Sequence, residues 1–153
     1  MKKSFIPLCV ALAASLNTQA APTQNQLKLD VIKNIYAVSL RANERVSDIT
    51  IITPYATERF IRAPDKVDRS DAYGICPEDE MGSIWLGNNG NKQGQKVSFK
   101  VLPSGNVQAN LYETDSKLRH QIVFVMKCSA KQCLVDDILQ YGSSYLKSFS
   151  EPC

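Results

Sequence analysis

Apolar and polar positions alternate most regularly late in the chain. Val97, Phe99 and Val101 alternate with Lys96, Ser98 and Lys100, and Val107, Ala109 and Leu111 alternate with Gln108 and Asn110. A period of two with one apolar face predicts two half-buried strands. Between them, Pro103-Ser104-Gly105-Asn106 supplies a fixed φ and a tolerance of positive φ, so the two strands are expected to pair as a hairpin. Thr114-Asp115-Ser116-Lys117 is a second polar break. Residues 121–126 are then almost continuously apolar, which predicts a central strand covered on both faces. After a four-residue loop, residues 133–138 are expected to fold back antiparallel on residues 123–128.

The earlier half changes period. Leu27, Val31, Ile35 and Val38, flanked by Ile32, Tyr36 and Leu40, recur at helical spacing and predict a helix over residues 27–46, broken at Ser47-Asp48. Thr53 followed by Pro54 reads as an N-cap with proline in the first turn, opening a short helix through Tyr55, Arg59 and Phe60 to residue 62. Ala63-Pro64 ends it, and the charged stretch 65–72 has room for one or two further turns. Residues 73–94 are the least regular part of the chain, and residues 141–149 suit a last helical turn or two, with Gly142 and Ser143 at its start. Helices followed by strands predict an α+β domain, its N-terminal helices packed on a C-terminal antiparallel sheet. A chain of 153 residues suits a single such domain, here residues 21–153.

The first twenty residues stand apart. Lys2 and Lys3 precede an apolar run over residues 5–16, and Thr18-Gln19-Ala20 presents small residues at the spacing of a cleavage site. This is the pattern of a secretory signal peptide cut after Ala20, which places the mature chain in the periplasm. The apolar run falls short of the ~20 residues a membrane span needs, and no later run approaches it. Without the leader's two lysines, 16 basic residues face 15 acidic ones, so the basic balance of the precursor does not argue for nucleic acid. Cleavage also leaves four cysteines, an even number in an oxidising compartment, and two disulfides are expected. Three pairings exist. Cys128 with Cys133 is favoured because they flank a short hairpin loop, which leaves Cys76 to join Cys153. Zinc on the four sulfurs is the rival reading, and it lacks C-x-x-C spacing.

Candidate chemistry is sparse. His120 is the single histidine, expected on the surface or at a rim; a general base is the sharper alternative. No H-E-x-x-H, G-x-S-x-G, phosphate-binding loop or dinucleotide fingerprint occurs, and no cofactor or metal is expected. Ser143 and Ser144 read as helix-capping serines. Asp136 and Asp137 fall inside the last strand, where alternation predicts one carboxylate toward the core and one toward solvent. Tyr36 and Tyr55 are expected in the core. Glu78, Asp79 and Glu80 point in different directions for a calcium loop and are read as an acidic contact surface. With Trp85, Asn88 and Asn89 they form the expected protein-binding surface, because a long irregular loop in a small domain is usually functional and tryptophan is enriched at interface centres.

The order of elements carries a resemblance. A leader, a long first helix, a short helix opening on Thr53-Pro54-Tyr55, and a late sheet whose last strand reads Leu134-Val135-Asp136-Asp137-Ile138 before Tyr141-Gly142-Ser143-Ser144-Tyr145 resemble the DUF3828 group of exported bacterial proteins, which look like members of the NTF2-like superfamily. Cys133-Leu134 stand where that group carries a tryptophan. The resemblance implies a curved antiparallel sheet wrapped around helices, an NTF2-like or cystatin-like cone that can enclose a pocket. Some small periplasmic proteins of this design look like immunity proteins. The function expected is therefore a non-enzymatic periplasmic binding protein, in its most concrete form an inhibitor of a secreted antibacterial effector. A small-molecule carrier or sensor is the alternative, and a pocket enzyme using Asp136 or Asp137 comes third. Monomer and dimer both fit the sequence.

Overall fold

A computed structural model of the protein describes residues 22–41, 46–66, 86, 96–112 and 117–149. The expected signal peptide, Cys76, Cys153 and the loop carrying Glu78, Asp79, Glu80, Trp85, Asn88 and Asn89 lie outside the described residues. Helices α1 (Gln24–Ser39), α2 (Asp48–Ile52) and α3 (Glu58–Ile61) come first. Strands β1 (Lys96–Val101), β2 (Val107–Tyr112), β3 (Leu118–Cys128), β4 (Cys133–Gln140) and β5 (Ser143–Ser144) follow, and α4 (Tyr145–Ser148) comes last. The strands form one antiparallel meander in the order β1-β2-β3-β4-β5, so the protein is α+β. Among the described residues no helix is long and apolar enough to cross a membrane.

Both predicted hairpins are present. Phe99 faces Ala109 across β1 and β2, and the turn between them holds Gly105 at φ +81°. Val97, Phe99 and Val101 share a face with the fully buried Val107, Ala109 and Leu111, and Ile122 and Phe124 continue that face onto β3. The opposite face of β3 is not sealed: Gln121 is exposed and Val123 and Val125 are only half-buried, so the strand expected to be covered twice is covered once. No described helix lies over those residues.

Helix α1 starts three residues earlier than its apolar residues suggest. Thr23 is its N-cap, with Oγ1 accepting from the Gln26 amide at 3.2 Å. Its buried positions are Lys28, Ile32, Ile35, Tyr36 and Ser39, a stripe turned away from the expected one, and Val38 is exposed. Two side chains cause the turn. The Tyr36 ring meets Phe99 and Phe124 edge-on, at centroid distances of 5.4 and 6.3 Å. Lys28 buries its stem and donates from Nζ to the Gly105 carbonyl at 2.8 Å, which satisfies its ammonium at the hairpin turn.

Ser47-Asp48 begins a helix rather than breaking one. Ser47 Oγ accepts from the Thr50 amide, and Asp48 occupies the first turn of α2. The helix expected from Thr53 is divided as well. Thr53–Tyr55 make a single 3-10 turn, and Ala56 is extended and bridges Val135. Thr57 donates its amide to the Val135 carbonyl at 2.8 Å and caps the separate helix α3. The edge of β4 thus takes the backbone bonds that a continuous helix would have used. A further 3-10 turn, Ala63–Lys66, follows where Ala63-Pro64 was expected to end the helix.

Cys128 and Cys133 are directly paired across β3 and β4 and joined by a disulfide, with Cα atoms 4.0 Å apart. This is the favoured pairing, and it removes two of the thiolates that a zinc site would need. Its loop is short, so the chain-entropy model gives about 2 kcal/mol. Replacing both cysteines by serine is expected to lower the free energy of unfolding by about that much in urea titrations, with no change in slope.

Candidate functional site

The two aspartates of β4 sit at an irregularity in the sheet. Val125 pairs with Asp137 and Met126 with Val135, which leaves Asp136 as an extra residue, a β-bulge. The bulge cancels the alternation expected for the pair. Val135 and Ile138 are both buried, while Asp136 and Asp137 are both half-buried and neither enters the core.

Each carboxylate ties β4 to a different segment. Asp136 accepts from the Thr57 hydroxyl at 2.8 Å and pairs with the Arg59 guanidinium. Partial burial pushes its pKa up, but the hydrogen bonds from Arg59 and Thr57 and the charges of Arg59 and Lys127 outweigh that and hold it below the ordinary 3.8. Asp137 accepts from Ser144 Oγ at 2.5 Å, the Leu146 amide at 3.0 Å and the Ile138 amide at 2.8 Å. Ser144 in turn accepts from the Lys147 amide at 3.1 Å as the N-cap of α4, the capping role expected of it. The segment just after Thr-Pro-Tyr, residues 56–60, therefore meets the Val-Asp-Asp-Ile and Tyr-Gly-Ser-Ser-Tyr stretches in one structural knot. Phe60 of α3 stacks on Tyr145 at 4.6 Å, and Phe149 meets Tyr145 edge-on.

A carboxyl whose folded pKa is depressed contributes stability above its unfolded value and loses it as pH falls through the folded one. The Asp136 clamp is accordingly present at neutral pH and lost below about pH 4. Arg59 is 57% exposed, so solvent screening limits the effect to about 1 kcal/mol. Stability curves of the wild type and Asp136→Asn are expected to lie apart at pH 7 and converge below pH 4. Parallel curves would show that the clamp contributes nothing.

The described residues also form an open groove of about 430 Å³ where β3 begins and β4 turns into β5. Leu118, His120, Gln121, Val123, Leu139 and Tyr141 line it. Residues 118–121 run past the end of β4, because Ile122 is already paired with Gln140, and the β4–β5 turn lies beside them. That turn is Tyr141-Gly142, with φ of 52° and 81°. Positive φ at both central residues marks a type I′ hairpin, normally occupied by Asn-Gly or Gly-Gly. Residues 141–149, expected to hold a helical turn or two starting at Gly142 and Ser143, therefore open with a tight turn and a short strand, and the helical turn begins only at Tyr145.

Tyrosine at such a position is strained by about 1 kcal/mol. Its side chain is nevertheless 79% exposed, and Leu118 at 53% and Leu139 at 36% are exposed beside it. His120, expected at the surface or at a rim, lines the groove but is buried rather than at the surface. It is 3% exposed, with Nε2 2.9 Å from the Gln140 amide nitrogen and its ring 4.8 Å from that of Tyr141. It supports the turn from below.

No aspartate, glutamate, lysine or arginine lines the groove among the described residues. Sequence patterns do not point to this site because its residues sit on two segments far apart in the chain, 118–123 and 139–142, and Tyr141 stood at the start of a segment expected to hold a helical turn or two. A Tyr-Gly pair directly after a strand was the available signal. Comparisons with protein-family models, with curated proteins and with solved structures find no match.

Proposed function

We propose that this chain is an exported binding protein whose partner is another protein. In the most concrete form it is an immunity-type inhibitor that blocks a secreted antibacterial effector in the periplasm. Its architecture on this proposal is that of the NTF2-like, cystatin-like cone, with helices lying in the concavity of a curved sheet, and the DUF3828-type motif resemblance supports that assignment. The observation that carries the functional reading is Tyr141. A large aromatic side chain is held out to solvent on a strained two-residue turn, between exposed leucines, where asparagine would be more stable. Strain kept at an exposed position fits a role in contact with something else, and tyrosine ringed by apolar side chains is the usual composition of an interface centre. The Asp136 and Asp137 carboxylates serve structural bonds, which favours binding over the pocket-enzyme alternative.

The groove volume keeps a second reading in view, since 430 Å³ lies in the range of small-ligand sites. Its open, exposed lining suits a partner's side chain better than an enclosed carrier's ligand.

The test is genetic, with a stability control. Deleting the gene is expected to sensitise cells to sister cells that deliver the effector encoded beside it, and the wild-type gene restores resistance. Tyr141→Asn is expected to raise unfolding stability by about 0.5–1 kcal/mol while failing to restore resistance. Deletion mutants as resistant as their parent would end the inhibitor reading. Full complementation by Tyr141→Asn would remove the groove from it.

A further inference from the structure

The sheet face around the groove has a charge pattern that narrows its partner. Lys100, Gln108, Val123 and Leu139 stand in register across β1 to β4, and Lys96, Tyr112 and Leu118 form a second row on the far side of Ser98, Asn110 and Gln121. Val97, Phe99 and Val101 fill the core side of β1, so Lys96, Ser98 and Lys100 stand on the other side, and all three are exposed. Strand spacing puts the lysine column about 10 Å from the apolar side chains of β3, within reach of one extended segment laid across the sheet. The ground between is polar and neutral: Asn110 Oδ1 accepts from Gln121 Nε2 at 2.9 Å and from Gln108 Nε2 at 2.8 Å.

No carboxylate among the described residues balances these lysines. Among the described residues neither Lys96 nor Lys100 has an ion-pair partner. The two acids of the sheet are committed elsewhere, Asp136 to Arg59 and Thr57, Asp137 to Ser144 and the α4 amide.

We infer that the partner presents an acidic segment to this face: an extended stretch with one apolar side chain seated beside Tyr141 and carboxylates over Lys96 and Lys100. The inference rests on the reading of the groove as the protein-binding site and adds the chemistry of what it receives. An anionic membrane is the other surface with such chemistry. It is disfavoured because surface attachment by charge takes a cluster of roughly four to eight basic residues. The amide-rich ground between lysines and groove instead offers hydrogen-bond partners to a peptide backbone.

The experiment titrates the ¹⁵N-labelled exported protein with three probes while its backbone amides are followed by NMR. They are a short Glu/Asp-rich peptide with a central phenylalanine, its Gln/Asn twin, and vesicles of phosphatidylglycerol in phosphatidylcholine. The acidic peptide is expected to shift the amides of residues 96–100, 118–121 and 139–142. It should bind about tenfold more tightly than the twin and weaken about tenfold in Lys96→Glu/Lys100→Glu, with a further loss on raising the salt from about 0.05 to about 0.5 M. Both lysines are exposed, so the variant keeps its fold, and an unchanged melting temperature confirms it. Equal binding of the two peptides, indifference to the charge reversal, absence of shifts on this face, or vesicles acting where the peptide does not would each overturn the inference. If both peptides bind equally and Tyr141→Asn abolishes both, the groove stands as a protein site and only the acidic partner falls.

Discussion

Phe60→Ala is expected to lower the free energy of unfolding by about 3–5 kcal/mol. Phe60 is fully buried, at 0% exposure, on a helix of only four residues, and its ring stacks on Tyr145. Helix α3 cannot hold itself together by propensity, since isolated helices need some 12–15 residues before they are even marginal. It stays in place because Thr57 is bonded to β4, Arg59 is paired with Asp136, and Phe60 is inserted against the C-terminal segment. Removing the ring leaves a cavity between α3 and α4 that short, pinned backbone cannot close. Domains of this size hold about 5–15 kcal/mol in all, so the variant should unfold at much lower urea. The adjacent Ile61 is 42% exposed and serves as the control, with Ile61→Ala expected to stay within about 0.5 kcal/mol. Equal losses at both positions would mean that α3 is seated differently.

The same helix shows where sequence reading stops. Strand alternation, the Pro-Ser-Gly-Asn hairpin and the Cys128–Cys133 pairing were legible because each depends on neighbours in the chain. The break at Ala56 was not, because it is made by Val135, some eighty residues away. Likewise, the phase of α1 was set by which side chain fits between Phe99 and Phe124. Tyr36 fills that space, and Lys28, a residue any hydropathy pattern counts as outward, is buried with its charge bonded to Gly105. Burial raises the Tyr36 pKa, with a further push from the Asp48 charge, so the hydroxyl stays protonated through the physiological range.

The candidate site was hidden for a related reason. Alternation assumes an unbroken register, and this sheet departs from it twice, between Leu111 and Tyr112 opposite residues 118–120 and at Asp136. The first irregularity sits at the end of β3 that lines the groove. The second turns both aspartates away from the core. Bulges arise from the fit of one strand to its neighbour and leave no local mark on composition. The type I′ turn did leave one, in Gly142, but Tyr141 ahead of it is a residue that sequence rules place elsewhere.

Asp137→Ala is expected to cost about 2–3 kcal/mol, more than any other single polar substitution in the knot. Its carboxylate accepts three hydrogen bonds, and truncation leaves the Ser144 hydroxyl and the Leu146 amide without their acceptor. Ser144 then loses the bond that orients it to cap Lys147, so Asp137→Ala and Ser144→Ala should be non-additive by about 1 kcal/mol in a double-mutant cycle. Asp137→Asn keeps one acceptor oxygen and should lose only about 1 kcal/mol. The turn bearing Tyr141 lies between Asp137 and Ser144, and their bond straps it closed from behind. If the chain is the proposed inhibitor, loss of effector resistance is expected to follow stability across this series, worst in alanine and slight in asparagine. A pocket acid would break that order: Asp137→Asn, folded and nearly as stable as its parent, would be as inactive as Asp137→Ala, and binding would no longer be the better account of this carboxylate.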